Sequence, residues 1–212
     1  MYWRAAIVSM FLIGTSAAPA AHAVEITTYG AGLKTCSSYL AAREQGTQDV
    51  LTFIDWFGGY LSGANATSTH QKNVLGLLDT RAAMEWLDHY CRAHPPAHFA
   101  EAAGILLFKA TSTIGAHSDE VTSYGTGSKP CTMYLDARKP RDIFAAVRTE
   151  FVDWIGGYLS GLNAISVSTN NVLGGSELTG ALHWLDDYCS ANPSARFESA
   201  VETLVAANRR GK

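Results

Sequence analysis

Three histidines, His89, His94 and His98, lie around Cys91, and imidazoles beside a thiolate are the donor types of a zinc site. Ser62 stands in Gly59-Tyr60-Leu61-Ser62-Gly63, where a hydroxyl between small residues suggests a nucleophile. Asp55, Asp88, Asp153 and Asp186 offer the paired carboxylates that glycoside hydrolysis uses. The chain carries its own control on these readings, because it contains the same unit twice. A residue present in only one copy is a poor candidate for a mechanism that both copies share.

Tyr29-Gly30-x-Gly32-x-Lys34-x-Cys36 returns as Tyr124-Gly125-x-Gly127-x-Lys129-x-Cys131. Asp55-Trp56-x-Gly58-Gly59-Tyr60-Leu61-Ser62-Gly63-x-Asn65-Ala66 returns as Asp153-Trp154-x-Gly156-Gly157-Tyr158-Leu159-Ser160-Gly161-x-Asn163-Ala164. Trp86-Leu87-Asp88-x-Tyr90-Cys91 returns as Trp184-Leu185-Asp186-x-Tyr188-Cys189. The offset grows from 95 at the first cysteine to 98 at the tryptophan, so the second copy has a longer first connecting loop. Such a period is too long for a solenoid and suits a small domain.

Against this control the histidine cluster fails, since Asp187, Asn192 and Arg196 replace it in the second copy. We expect no metal site. The serine lacks the strand-turn-helix elbow of a hydrolase. The Gly-x-Gly turn has neither a third glycine nor Gly-Lys-Ser/Thr, so it is no phosphate cradle. Lys34 and Lys129, Arg43 and Arg138, and the four aspartates recur in both copies, and they read as ion pairs or helix caps. No catalytic residue and no cofactor is therefore expected, and a binding or protective role is favoured over an enzyme.

The elements behind these residues read as helices, four short ones in each repeat. Thr35 is available to cap the first, Gly46 to stop it, and Asp79 or Ser176 to open the third. Phe53, Trp56, Phe57, Tyr60, Leu61 and Ala64 recur at helical spacing, as do Phe151, Trp154, Ile155, Tyr158, Leu159 and Leu162. Glycines inside that helix cost about 1 kcal/mol each relative to alanine, so their recurrence needs a packing reason or a bending one, a kink at the Gly-Gly pair. Gly59 and Gly63 share a face, as do Gly157 and Gly161, where another backbone is able to approach. Trp56, Gly59, Tyr60, Gly63, Trp154, Gly157, Tyr158 and Gly161 are thus the candidate binding or packing face. Trp86, Leu87, Tyr90 and Cys91 are expected to be buried by the third helix, and Asn192-Pro193 to open the fourth. Extended arms precede each repeat at Glu25–Tyr29 and Glu120–Tyr124.

Residues 1–23 read as a secretory leader: Arg4, an apolar run from Ala5 to Gly14, and Ala21-His22-Ala23 before the cut. That run is shorter than the roughly 20 residues of a membrane span, so an exported chain without stable membrane insertion is expected. Loss of Arg4 takes the formal charge from −3 to −4; with no basic stripe, nucleic acid is an unsuitable partner. Four cysteines in an exported chain read as disulfides. Equivalent placement in the two copies selects Cys36 with Cys91 and Cys131 with Cys189, each closing a loop worth up to roughly 4 kcal/mol. The organisation expected is a leader, repeat one at 24–110, a linker at 111–119 and repeat two at 120–212, all-α, the repeats free to pair as a pseudo-dimer.

Tyr188-Cys189-Ser190-Ala191-Asn192-Pro193 with Phe197, Tyr90-Cys91 with Pro95 and Phe99, and Thr35-Cys36-x-x-Tyr39-Leu40 resemble the signatures of the HdeA/HdeB periplasmic acid-stress chaperones. That resemblance implies a helical unit with one disulfide and a dimer that loosens in acid to expose apolar surface to unfolding protein clients. The Trp-x-Gly-Gly-Tyr-Leu-Ser-Gly block is not a hallmark of that family. Gly-Tyr-Leu-Ser-Gly resembles instead Rap1a-type periplasmic immunity proteins, helical inhibitors for which the partner is a secreted toxin, although the cysteine expected before the glycine is absent.

Overall fold

The computed structural model describes residues 26–68, 73–111, 121–139, 145–166, 169–174 and 177–210, and among them the chain forms eight α-helices and no β-strand. Repeat one contributes α1 (Cys36–Gln45), α2 (Asp49–Thr67), α3 (Thr80–Ala93) and α4 (Phe99–Thr111). Repeat two contributes α5 (Cys131–Arg138), α6 (Ala145–Ile165), α7 (Leu178–Ala191) and α8 (Phe197–Arg210). The expected leader lies outside the described residues, as do Ser176 and all of the linker but Thr111.

Local chemistry sets several helix ends. Thr35 Oγ1 accepts from the Ser38 amide at 3.2 Å, and Gly46 closes α1 with φ +59°. Asp79 Oδ1 accepts from the Ala82 amide at 2.8 Å to open α3. The fourth helix departs from expectation. Asn192 is the C-cap of α7, its amide donating to the Tyr188 carbonyl, and α8 starts only at Phe197. The reason is tertiary: the Pro193 and Ala195 carbonyls accept from the Thr132 and Cys131 amides at 3.0 and 2.8 Å, which holds the segment away from helical geometry. Repeat one does the same with Pro95 and Ala97.

The disulfides are Cys36–Cys91 and Cys131–Cys189, joining the first helix of each repeat to its third. All four cysteines are fully buried, each pair in its own core. In one core Tyr39, Phe53, Trp56 and Phe99 pack edge-on or tilted; Tyr134, Phe151, Trp154 and Phe197 repeat the arrangement. The third helix buries Leu87 and Cys91, but Trp86 and Tyr90 stay half-exposed, stacked on each other at 5.3 Å. They pack toward α4, where Lys109 lies over the Trp86 ring and the Tyr90 hydroxyl donates to Glu101 at 3.1 Å.

The repeated aspartates divide into two kinds. Asp88 accepts from Tyr39 and pairs with Arg43 at 2.8 Å, and Asp186 does so with Tyr134 and Arg138 at 2.7 Å, clamping first helix to third. Burial raises both carboxyls, yet the arginine and tyrosine hydrogen bonds outweigh it and hold them below the usual carboxylate range. Asp55 and Asp153 belong to the seam.

Candidate functional site: the seam between the repeats and its two grooves

α2 and α6 run side by side in the same direction. A Cβ added to Gly59 would lie 2.0 Å from the Trp154 carbonyl oxygen, and one added to Gly63 would lie 2.1 Å from that of Tyr158. Gly157 and Gly161 stand in the same relation to Trp56 and Tyr60, at 1.8 and 2.2 Å. Contact numbers that rise together along both helices mean parallel axes, and their exchange means an approximate two-fold axis between them. Glycine here is a space requirement: backbone meets backbone, as in small-residue helix pairs where Cα–H groups approach carbonyls.

The arms cross over this seam. Tyr29 donates its amide to Ser160 Oγ at 2.9 Å and its hydroxyl to Asn171, while the Thr27 carbonyl accepts from Asn163 at 2.8 Å and the Thr27 amide donates to the Asn170 carbonyl. The second arm reciprocates on repeat one through Ser62 at 2.8 Å, Asn65 at 2.6 Å and Asn73 at 2.6 Å. Each arm also returns to its own repeat. Trp56 Nε1 donates to the Tyr29 carbonyl at 2.6 Å and Trp154 Nε1 to that of Tyr124 at 2.7 Å. Gly32 and Gly127 leave room for those indoles, since a Cβ would come within 2.3 and 2.2 Å of a ring carbon.

Most recurrent positions of the long block thus have a structural task. Gly59 and Gly63 touch the other long helix; Ser62 and Asn65 hold the other arm; Trp56 and Tyr60 face their own core. Trp56 and Trp154 are wholly buried, and Tyr60 and Tyr158 nearly so. The candidate face is occupied by the molecule itself. Ser62, buried and bonded to the Gly58 carbonyl and the Tyr124 amide, is spent on this scaffold too.

Asp55 and Asp153 lie one turn before the glycines, at equivalent places on α2 and α6. Burial, with the Glu150 and Asp153 charges, pushes the Asp55 carboxyl up to about 7 against the opposing pull of Lys129. Burial pushes Asp153 up to about 6, opposed by the Thr52 hydroxyl and Lys34. Glu150 itself pairs with Lys129 at 2.7 Å. Asp153 Oδ2 is buried and has no hydrogen-bond partner among the described residues.

On the flanks of the seam the two-fold likeness ends. Between α4, the first arm and the end of α6 lies a cleft of about 470 Å³, with Tyr60 and Gly104 among its lining and Ile26, Leu107, Phe108 and Ile165 along its apolar wall. A second hollow of about 580 Å³ continues it past Ala100 and Glu101 toward Leu33 and His98, on the other side of Thr28. Phe108 is 73 % exposed, Ile26 47 % and Ile165 37 %. Burial pushes the Tyr60 hydroxyl up to about 12, so it is neutral in ordinary buffers. The matching cleft on repeat two, about 360 Å³, keeps Tyr158, Leu162 and Val205 in its lining but adds Glu202, Arg209 and Arg210. Glu198 and Glu202 hold the places of Ala100 and Gly104, and Ala206 and Arg209 those of Phe108 and Thr111.

Of the groove residues only Tyr60 belongs to the candidate face; Gly104, Phe108 and Ile165 were not singled out in the sequence, where the only signal for them is difference between the copies. Of the histidines, His98 Nδ1 lies 2.8 Å from the Leu33 carbonyl and His94 Nδ1 3.0 Å from that of Tyr90. Among the described residues no group of three or more His, Cys, Asp or Glu side chains is placed to hold a metal ion, and no helix is long and apolar enough to cross a membrane. Compared with known proteins, the chain matches no family model, no curated protein and no solved structure.

Proposed function

We propose that this chain is an exported, non-enzymatic binding protein of the bacterial periplasm that acts as a chaperone-like holder of unfolding protein clients. The observation that carries the reading is the open apolar groove beside α4, set on a scaffold whose other large apolar side chains are mostly buried. A patch of this kind on a soluble surface marks an interaction site. Two disulfides support an oxidising compartment, and they keep each repeat closed while a client is held.

The acid-gated form of this role, in which the repeats part to expose Trp56, Tyr60, Trp154 and Tyr158, has the seam against it. Those rings sit behind backbone contacts and crossed arms, and protonating Asp55 and Asp153 removes repulsion from the seam. The client site is therefore placed in the groove, which is open without separation. Light scattering of a heat- or acid-unfolded client, with and without the protein at neutral pH and at about pH 3, tests this directly. Suppression at both pH values is the expected result, and equal scattering with and without the protein at both would remove the chaperone role.

A second reading rests on the one-sidedness of the groove. A preformed site on one flank of the frame also suits one dedicated partner, and an immunity protein that neutralises a secreted toxin is such a case. Protection of cells from a co-encoded secreted effector, lost when the groove is filled, would select it.

A further inference from the structure

The first arm is extended at Tyr29, with φ −119° and ψ 153°, and its bonded groups alternate along the chain. Thr27 and Tyr29 use both their amides and their carbonyls on the seam. Successive residues of an extended chain turn these groups to opposite sides. Those of Ile26 and Thr28 therefore face away from the seam, toward the groove that both residues line. No hydrogen bond reaches the amide or carbonyl of either among the described residues. This is an unpaired strand edge beside an apolar wall, the arrangement that admits an added strand. Glu101 is the carboxylate on both stretches of the groove.

We propose that the groove between the first arm and α4 takes an extended polypeptide segment of apolar residues with a basic one among them, which pairs as an added strand with the backbone of Ile26 and Thr28. The apolar side chains lie against Leu107, Phe108 and Ile165, and the basic one meets Glu101. This inference rests on the chaperone-like reading and narrows it, naming an extended segment rather than a helix or a folded surface. Repeat two does not offer the site, because Glu198 and Glu202 replace Ala100 and Gly104 along its α8.

The test uses the whole mature protein and a short fluorescent capped peptide of alternating valine and threonine with a central lysine, followed by anisotropy. Two comparisons accompany it: the same peptide N-methylated on alternate amides, and the variant Gly104→Glu. A Cβ at Gly104 has only the Tyr60 hydroxyl nearby, at 3.5 Å, so the glutamate extends into the groove as its counterpart does in repeat two. An unchanged melting curve shows that the variant folds, and Phe108→Ala replaces it if the curve shifts.

Either change is expected to weaken binding by more than about tenfold. Equal binding of the N-methylated peptide would overturn strand pairing, and equal binding by the groove variant would overturn the location. A concentration-dependent dimer abolished by Gly104→Glu would assign the groove to a second copy and also overturn the proposal. Client scattering is read on the same samples: suppression without peptide binding sinks this inference and leaves the chaperone reading, whereas peptide binding without suppression does the reverse.

Discussion

The two flanks of the seam each have a fourth helix and the end of the opposite long helix, yet one is an open apolar groove edged by an arm and the other a cleft with charged side chains and no arm residue in its lining. The seam between them is almost perfectly repeated. Gly59 and Gly157, Ser62 and Ser160, and Asn65 and Asn163 perform the same tasks at nearly the same distances. Duplicated residues thus maintain the frame, and the flanks, released from that duty, have diverged. The contrast teaches that in a fused pair the shared positions report how the halves are joined and the unshared ones report what the joined molecule is free to do.

The most severe way to break the comparison is to break the frame that both flanks share. Gly59→Leu places a side chain where the Trp154 carbonyl already stands, and we expect a loss of about 3 kcal/mol or more from overpacking. Gly180→Ala, with nothing within 4 Å of the added carbon, should be neutral or slightly stabilising. Urea unfolding of the two variants beside the parent checks both, and a Gly59→Leu protein that unfolds with the parent would show that the seam opens in solution.

A smaller change should separate the flanks. Asn163 bridges the first arm's Thr27 carbonyl and the Val172 amide at 2.8 Å each; Asn65 does the same for the Thr122 carbonyl and the Val74 amide. Alanine at either position strands two buried groups and should cost about 2 to 3 kcal/mol. The costs should match, but only Asn163→Ala frees the arm that forms the groove, so only it should weaken capture of the peptide probe. Equal loss of probe binding in both variants would mean that the flanks are coupled through the frame.

The gentlest test is pH. Asp55 and Asp153 have folded pKa values, about 7 and about 6, above those of an unfolded carboxylate. Unfolding therefore releases protons, and stability from this pair rises as pH falls from above about 7 toward about 4. Asp88 and Asp186 behave oppositely. Their carboxyls are held low, so the stability they contribute is complete above about pH 4 and is lost as pH falls through their lowered folded values. A stability maximum in mild acid is expected, with Asp55→Asn flattening its neutral side and Asp88→Asn its acid side. A profile that falls steadily from neutral pH would contradict the assigned environment of the seam pair.

Much of the frame could be read from residue order. Helical spacing around Trp56 and Trp154 predicted the long helices, Thr35, Gly46 and Asp79 marked ends where they are found, and equivalent cysteines gave the disulfides. Gly59 and Gly63 announced either a close approach or a kink at the Gly58-Gly59 pair, and the contact with the Trp154 and Tyr158 carbonyls shows the close approach. Asn192-Pro193 misled for a physical reason: a capping preference of about 1 kcal/mol is overridden when neighbouring carbonyls are claimed by amides across the disulfide.

What the sequence determined by itself is the unit: its helices, its staple and the small-residue face, all of which follow from local propensity, periodicity and duplication. Only the tertiary structure decided that each arm binds the opposite repeat, that the Asp153 charge reaches Asp55, and that Ala100 and Gly104 leave a groove where, in repeat two, Glu198 is buried and Glu202 lines a charged cleft. Those outcomes depend on which surfaces meet across an axis that no stretch of the chain contains. The same side chain is solvent-facing or buried according to a partner 57 to 131 residues away, and local sequence carries no record of that distance.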